Sequence, residues 1–92
     1  MLPRNCMYIN MYITYILYSS KINKYYIGQT VDINRRMEEH NRGKTTFLAT
    51  GIPWRIVYSK VHTSRTEAIK EEKIIKKRGA ARFLIDNEIC LG

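Results

Sequence analysis

Cysteine is scarce in this chain: Cys6 and Cys90 are the only two in 92 residues, and they sit near opposite ends. Neither has a second thiol at the spacing of a zinc pair or a Cys-x-x-Cys redox motif. A disulfide between them would need an oxidising compartment that nothing else in the sequence suggests. Two prolines and five glycines exclude a low-complexity or linker-rich chain. No apolar run approaches the roughly 18 residues of a membrane span, and the stretch from Met11 to Tyr18 is short and interrupted by Thr14. Residues 1–10 lack the long apolar segment of a signal peptide. These absences describe a soluble, reduced, cytoplasmic protein with no membrane partner. Acidic residues are also few, eight Asp and Glu against sixteen Lys and Arg, for a net charge of +8.

What is present is enough to fold. Hydrophobic residues make up 45% of the chain, and seven Tyr, two Phe and one Trp argue against a disordered tail. A chain of this length holds one domain and buries only about 60–65% of the surface exposed when unfolded. Polar groups on the faces that form so small a core therefore need compensation. The positive field favours a polyanionic partner, and nucleic acid is the commonest, because neutralising phosphates releases counterions.

The order of elements reads strand, strand, helix, strand, helix, helix. Tyr12–Ser19 and Lys24–Thr30 are rich in Tyr, Ile and Thr and flank the short Ser20–Asn23 segment, the pattern of a β-hairpin. Thr30 or Asp32 caps a helix running to Arg42, with Gly43 at its end. A loop containing Gly51 and Pro53 leads to a third strand, Trp54–Val61. Ser64-Arg65-Thr66-Glu67 has the form of a capping box and opens a helix to about Lys77, ended by Gly79. Ala80–Asn87 forms a last short helix. The expected fold is α+β, a three-stranded antiparallel sheet flanked by helices. Residues 11–88 make the domain, 1–10 a peripheral extension with Met7 or Met11 as other possible starts, and 89–92 a tail.

Three sets of polar residues stand where apolar ones are expected. At about 100° per residue, His40 falls between Ile33 and Met37 on the apolar face of the first helix, with Arg36 on its flank. Arg35, Glu38 and Glu39 read as a solvated face. On the second helix, Glu72 falls within the stripe of Ala68 and Ile75, whereas Glu71 points away and Ile74 packs under the last helix. A buried charged carboxylate needs a cation, a hydrogen-bond network or a metal; a salt bridge from Glu72 to Arg36 or a lysine is the structural alternative. His40 has the alternative of a satisfied core histidine. Third, Tyr8, Tyr12, Tyr15, Tyr18, Tyr25, Tyr26 and Tyr58 concentrate in the sheet region, and most such phenols carry their hydroxyls to water.

Together these residues resemble the GIY-YIG nuclease family, in particular its small single-domain bacterial members. The second triplet is intact as Tyr26-Ile27-Gly28 and the first is reduced to Ile13-Thr14-Tyr15. Arg36 follows Tyr26 by ten residues, and His40 and Asn41 stand in His-Asn-x-Gly. Pro53-Trp54 precedes the third strand, and Ala68, Glu72 and Lys76 complete an Ala-x-x-x-Glu-x-x-x-Lys pattern. Gln29 stands where some members carry lysine, and Asn87 is a weak match to a later family asparagine.

The resemblance implies an endonuclease that hydrolyses DNA phosphodiester bonds with a single Mg²⁺ or Mn²⁺ on Glu72, acting on branched, damaged or single-stranded DNA, as in DNA repair. Arg36 would hold the scissile phosphate. Tyr15 would act as general base, Tyr26 would orient water or phosphate, and His40 would relay a proton from Tyr15 or protonate the leaving group. Gln29, Asn41, Arg42, Lys44 and Lys76 would meet nucleic acid. Gly28 either marks a strand bulge or admits a phosphate or the helix. A non-catalytic nucleic-acid-binding module of the same fold is the competing reading. RNA as partner stays open, as do the monomer and a weak homodimer.

Overall fold

The computed structural model describes residues 11–89; Cys6, Tyr8, Cys90 and most of the two terminal segments lie outside them. The elements are β1 (Tyr12–Ser19), β2 (Lys24–Thr30), α1 (Ile33–Asn41), α2 (Thr46–Thr50), β3 (Arg55–His62), α3 (Arg65–Arg78) and α4 (Ala80–Asp86). The fold is α+β, as expected, and α2 is an addition within the segment read as a loop. Thr45 starts α2 by accepting a hydrogen bond from the Leu48 N–H at 3.2 Å, a local cap outside any long periodic pattern.

Strand β1 is central in the order β2-β1-β3, antiparallel to both neighbours. Alternation along β1 gives the sheet two covered faces. Tyr15 and Leu17 pack with Leu48 and Trp54, and Ile22, Tyr26, Ile33, Met37 and Ile52 close this layer. Ile16 packs on the opposite face with Ile75, Ala80 and Leu84. There the buried Thr14 hydroxyl donates to the Ala68 carbonyl at 3.0 Å, fastening α3 to β1. Helices α1 and α2 thus belong to one layer and α3 and α4 to the other.

Local capping explains the helix limits. Asp32 starts α1 by accepting from the Arg35 N–H at 3.1 Å, and Thr30 accepts from the Asp32 N–H at 3.1 Å, so both anticipated residues take part. Ser64 Oγ accepts from the Glu67 N–H at 3.2 Å. The Glu67 carboxylate lies 3.9 Å from Lys70 Nζ. Gly79, at φ 93°, ends α3 in the left-handed region that glycine enters without strain.

Four expectations need correction. Glu71 does not point into solvent: its carboxylate is mostly covered and bonded to Tyr58 and His62. Glu39 is not a free surface charge, because Arg35, Arg36 and Lys44 surround it. Ile74 is 59% exposed instead of packing under α4, since α4 approaches α3 on the side of Ile75. Ile89, placed in the tail, packs against the second layer, and its N–H donates to the Leu84 carbonyl at 2.9 Å.

Candidate active site

The center of the site is Tyr15, a fully buried residue on the central strand. Its strand partner is Gly28, and a Cβ added at Gly28 would lie 2.7 Å from the Tyr15 hydroxyl and 2.9 Å from its Cζ. The glycine is thus required by the phenol, which crosses β2 where any side chain would block it. The β1–β2 register runs unbroken through Gly28, so no bulge lies there. Gly28→Ala should cost about 1–3 kcal/mol by overpacking, lowering Tm by about 5–20 °C in a domain of this size. Thermal denaturation followed by circular dichroism checks this.

Around that phenol the layer of α1 supplies three more groups. Tyr26 stacks on Tyr15 with ring centroids 6.4 Å apart and 16° between planes. His40 meets Tyr26 edge-on at 4.4 Å and places Nε2 3.3 Å from the Tyr15 hydroxyl oxygen. Arg36 lies one helical turn before His40, half-exposed, with its Nε 3.5 Å from Glu39 Oε1. Glu39, 15% exposed at its side chain, also faces Arg35 at 3.4 Å and Lys44 at 4.0 Å. It gathers the cations of this edge and steadies the Arg36 guanidinium. Its position away from the Ile33–Met37 stripe hid this role, and the only sequence signal was the i,i+3 and i,i+4 spacing to Arg36 and Arg35.

Glu72 comes from the other layer. It is 20% exposed at its side chain and pairs with Lys76 Nζ at 2.8 Å, so the anticipated lysine partner is present. The Tyr15 phenol registers all these groups: burial pushes its pKa up to about 12, the positive charge of Arg36 pulls it down, and Tyr26 and Glu72 push it up. Tyr15, Tyr26 and His40 thus share one cluster beside Arg36, and Glu72, on the helix of the other layer, acts on the phenol through its charge.

Burial, reinforced by the charge of Arg36, lowers the His40 pKa below the usual imidazole value, so the ring is neutral at pH 7. Its Nδ1 is buried without a hydrogen-bond partner among the described residues. A proton there would leave a buried donor unsatisfied, whereas a bare lone pair costs less. The favoured tautomer therefore carries its proton on Nε2 and donates to the Tyr15 oxygen. This geometry favours stabilisation of ionised Tyr15 over acceptance of its proton.

The residues read as nucleic-acid contacts divide. Asn41 uses both ends of its amide on Trp54: Oδ1 accepts from the Trp54 N–H at 2.7 Å and Nδ2 donates to the Trp54 carbonyl at 3.2 Å. Its amide is committed to tying the end of α1 to the start of β3. Trp54 itself is buried and donates Nε1–H to the Leu48 carbonyl at 2.9 Å, so its ring serves packing. Gln29 pairs across from Thr14 on the face that receives α3, and its Oε1 is buried without a partner among the described residues. Arg42, Lys44 and Lys76 are exposed cations. A small depression lined by Thr30, Val31, Asp32, Arg35 and Arg36 adjoins Arg36.

The family model described as the GIY-YIG catalytic domain matches residues 11–84, which include all five candidate residues. The chain belongs to the GIY-YIG family. Its similarity extends to small proteins of the same architecture. The UPF0213 protein of Streptococcus pneumoniae serotype 4 is 32% identical over 68 residues, covering 70% of this chain and 69% of its own. The UPF0213 protein of Listeria innocua is 36% identical over 69 residues, covering 74% and 76%. The solution NMR structure of a UPF0213 protein from Bacillus halodurans is similar with a TM-score of 0.56 and 25% identity over 88% of each chain. Membership in the GIY-YIG family indicates a nuclease fold and a nucleic-acid substrate. No helix among the described residues is long and apolar enough to cross a membrane.

Proposed function

We propose that this GIY-YIG protein is a divalent-metal-dependent endonuclease that hydrolyses DNA phosphodiester bonds and selects branched, damaged or single-stranded DNA by shape. The observation that carries the reading is the buried Tyr15 phenol, flanked by His40 and opposed electrostatically by Arg36 and Glu72.

Among the described residues no three His, Cys, Asp or Glu side chains gather as a metal cage. Glu72 alone supplies a hard oxygen donor, and Mg²⁺ tolerates such a site because it keeps most of its own waters. The residues present fit a single, largely hydrated ion held by Glu72, with Lys76 giving up its pairing. When bound, Mg²⁺ or Mn²⁺ would supply Lewis-acid charge against the phosphate and the leaving oxygen. Arg36, steadied by Glu39, would hold the scissile phosphate through its planar guanidinium. Ionised Tyr15 would take a proton from the attacking water, His40 Nε2–H would stabilise that phenolate, and Tyr26 would orient the water. Arg42 and Lys44 would guide the DNA backbone toward this edge.

The test is incubation of the purified protein with duplex, nicked, flapped, branched and single-stranded DNA, and with matched RNA, under Mg²⁺, Mn²⁺ or chelator. Cleavage of structured or single-stranded DNA that stops when EDTA removes the ion is the expected result. Salt-sensitive binding without product under either ion would replace this reading with that of a binding module.

A further inference from the structure

We propose that Glu71 is a positioning residue of the site: its two bonds to β3 fix the roll of α3 about its axis, and thereby the aim of Glu72. The inference rests on the nuclease reading above and adds a residue outside the five candidates.

Ala68, Glu71, Glu72 and Ile75 follow at i, i+3, i+4 and i+7 and share the side of α3 that faces the sheet. Ala68 and Ile75 are fully buried along its middle. Glu71 and Glu72 flank that line on opposite sides. On the β3 flank, Glu71 Oε2 accepts from the Tyr58 hydroxyl at 2.6 Å, and Oε1 lies 2.8 Å from His62 Nε2. The Glu71 and His62 side chains are only 13% and 12% exposed. Tyr58 and His62 stand four residues apart on β3, opposite Ile16 and Tyr12, so both point toward α3 with Glu71 between them. Tyr58 is itself held, its ring meeting Phe83 edge-on at 5.1 Å.

Two further polar contacts fasten α3 to the sheet, the Thr14 hydroxyl on the Ala68 carbonyl and the Arg65 guanidinium over the Tyr12 ring at 5.0 Å. The backbone bond and the apolar contacts at Ala68 and Ile75 resist separation but resist rolling weakly, because they lie close to the line about which the helix would turn, and the Arg65 contact sits at the first residue of α3, about two turns from Glu72. Two short bonds at the flank resist it directly. A roll of about 20° moves a side-chain end at a helix radius of about 5–6 Å by on the order of 2 Å. Misplacement of a reacting group by about 1 Å already costs about a hundredfold in rate. Because Glu71 and Glu72 are adjacent, loosening the first on the β3 side frees the second to shift.

Three variants test this, Glu71→Ala, Glu71→Gln and Tyr58→Phe, each first shown to be folded by circular dichroism. Glu71→Ala should lower single-turnover kcat by about 10–100-fold while KM for the DNA changes less than about twofold. Glu71→Gln, whose amide still accepts from Tyr58, should recover most of that loss, and Tyr58→Phe should fall between. A second readout does not depend on cleavage: Mn²⁺ added to the wild type should broaden the NMR ring signals of Tyr15 and Tyr26, and less so in Glu71→Ala. A folded Glu71→Ala protein with wild-type kcat and wild-type broadening overturns the inference. If Glu71→Ala does not fold, wild-type values for Tyr58→Phe in both measurements overturn it instead. If the wild type cuts no substrate, the nuclease reading fails and the broadening decides alone; no broadening in the wild type then also overturns the positioning role.

Discussion

Replacing Glu72 by alanine is expected to reduce cleavage by about a hundred- to a thousandfold or more, the scale seen when one charge-stabilising group is removed from an active site. The same change should leave the fold almost untouched. Glu72 pairs with Lys76, which is 56% exposed, and a helical pair of that kind is worth about 0–1 kcal/mol. A Tm loss of no more than about 8 °C follows for a domain of this size. DNA affinity should hold or rise slightly, because a negative charge leaves a basic surface. The measurement is single-turnover cleavage beside filter binding on one substrate, with protein purified free of host nucleases. Mg²⁺-dependent cleavage at the wild-type rate by Glu72→Ala would remove the carboxylate from the reaction.

Tyr15→Phe should cost about 10²–10⁴-fold in cleavage, the contribution typical of a positioned proton acceptor. It should also change the pH profile. Burial holds the phenol near a pKa of about 12 in the free protein, so at pH 7 only about one molecule in 10⁵ carries the phenolate. The reactive form is the deprotonated one, and its population grows tenfold per pH unit well below the pKa. The logarithm of the single-turnover rate should therefore rise with a uniform slope near one from about pH 6 to 9. If His40 were the base instead, the rate would level off near or below the ordinary imidazole pKa of about 6.5, since burial lowers its value. A plateau above pH 7 in the wild type, or the same unit slope persisting in Tyr15→Phe, would take the base role from Tyr15.

Much of this was legible in the residues because the signals were local or periodic. The two hairpin strands end where alternating Tyr, Ile and Thr give way to polar residues, and the observed β1 and β2 have those limits. His40 stood out because the wheel of α1 placed it between Ile33 and Met37, and it is 2% exposed. Glu72 stood out in the same way and is partly covered. What was not legible depended on the neighbouring element. The wheel of α3 places Glu71 on the flank of Ala68, but only the position of β3 tells whether that flank is wet, and Tyr58 and His62 cover it. Gly28 carried no sign of its reason, because the ring that needs its missing side chain belongs to another strand. Asn41 looked like part of a contact motif for the substrate, but its amide is committed to the Trp54 backbone, a pairing thirteen residues away that no periodicity reports.

The two-faced construction of the site has a consequence for the life of the chain. Tyr15, Tyr26, Arg36 and His40 precede β3, while Glu72 follows it, and β3 joins the sheet only by pairing with the first strand. During synthesis, four of the five groups emerge before the carboxylate does, and Glu72 joins them only when the last layer docks. A chain still on the ribosome, or one clipped in the segment before β3, holds an incomplete set of the candidate groups. The arrangement ties completion of the candidate site to the docking of α3, the helix that follows β3 in the chain.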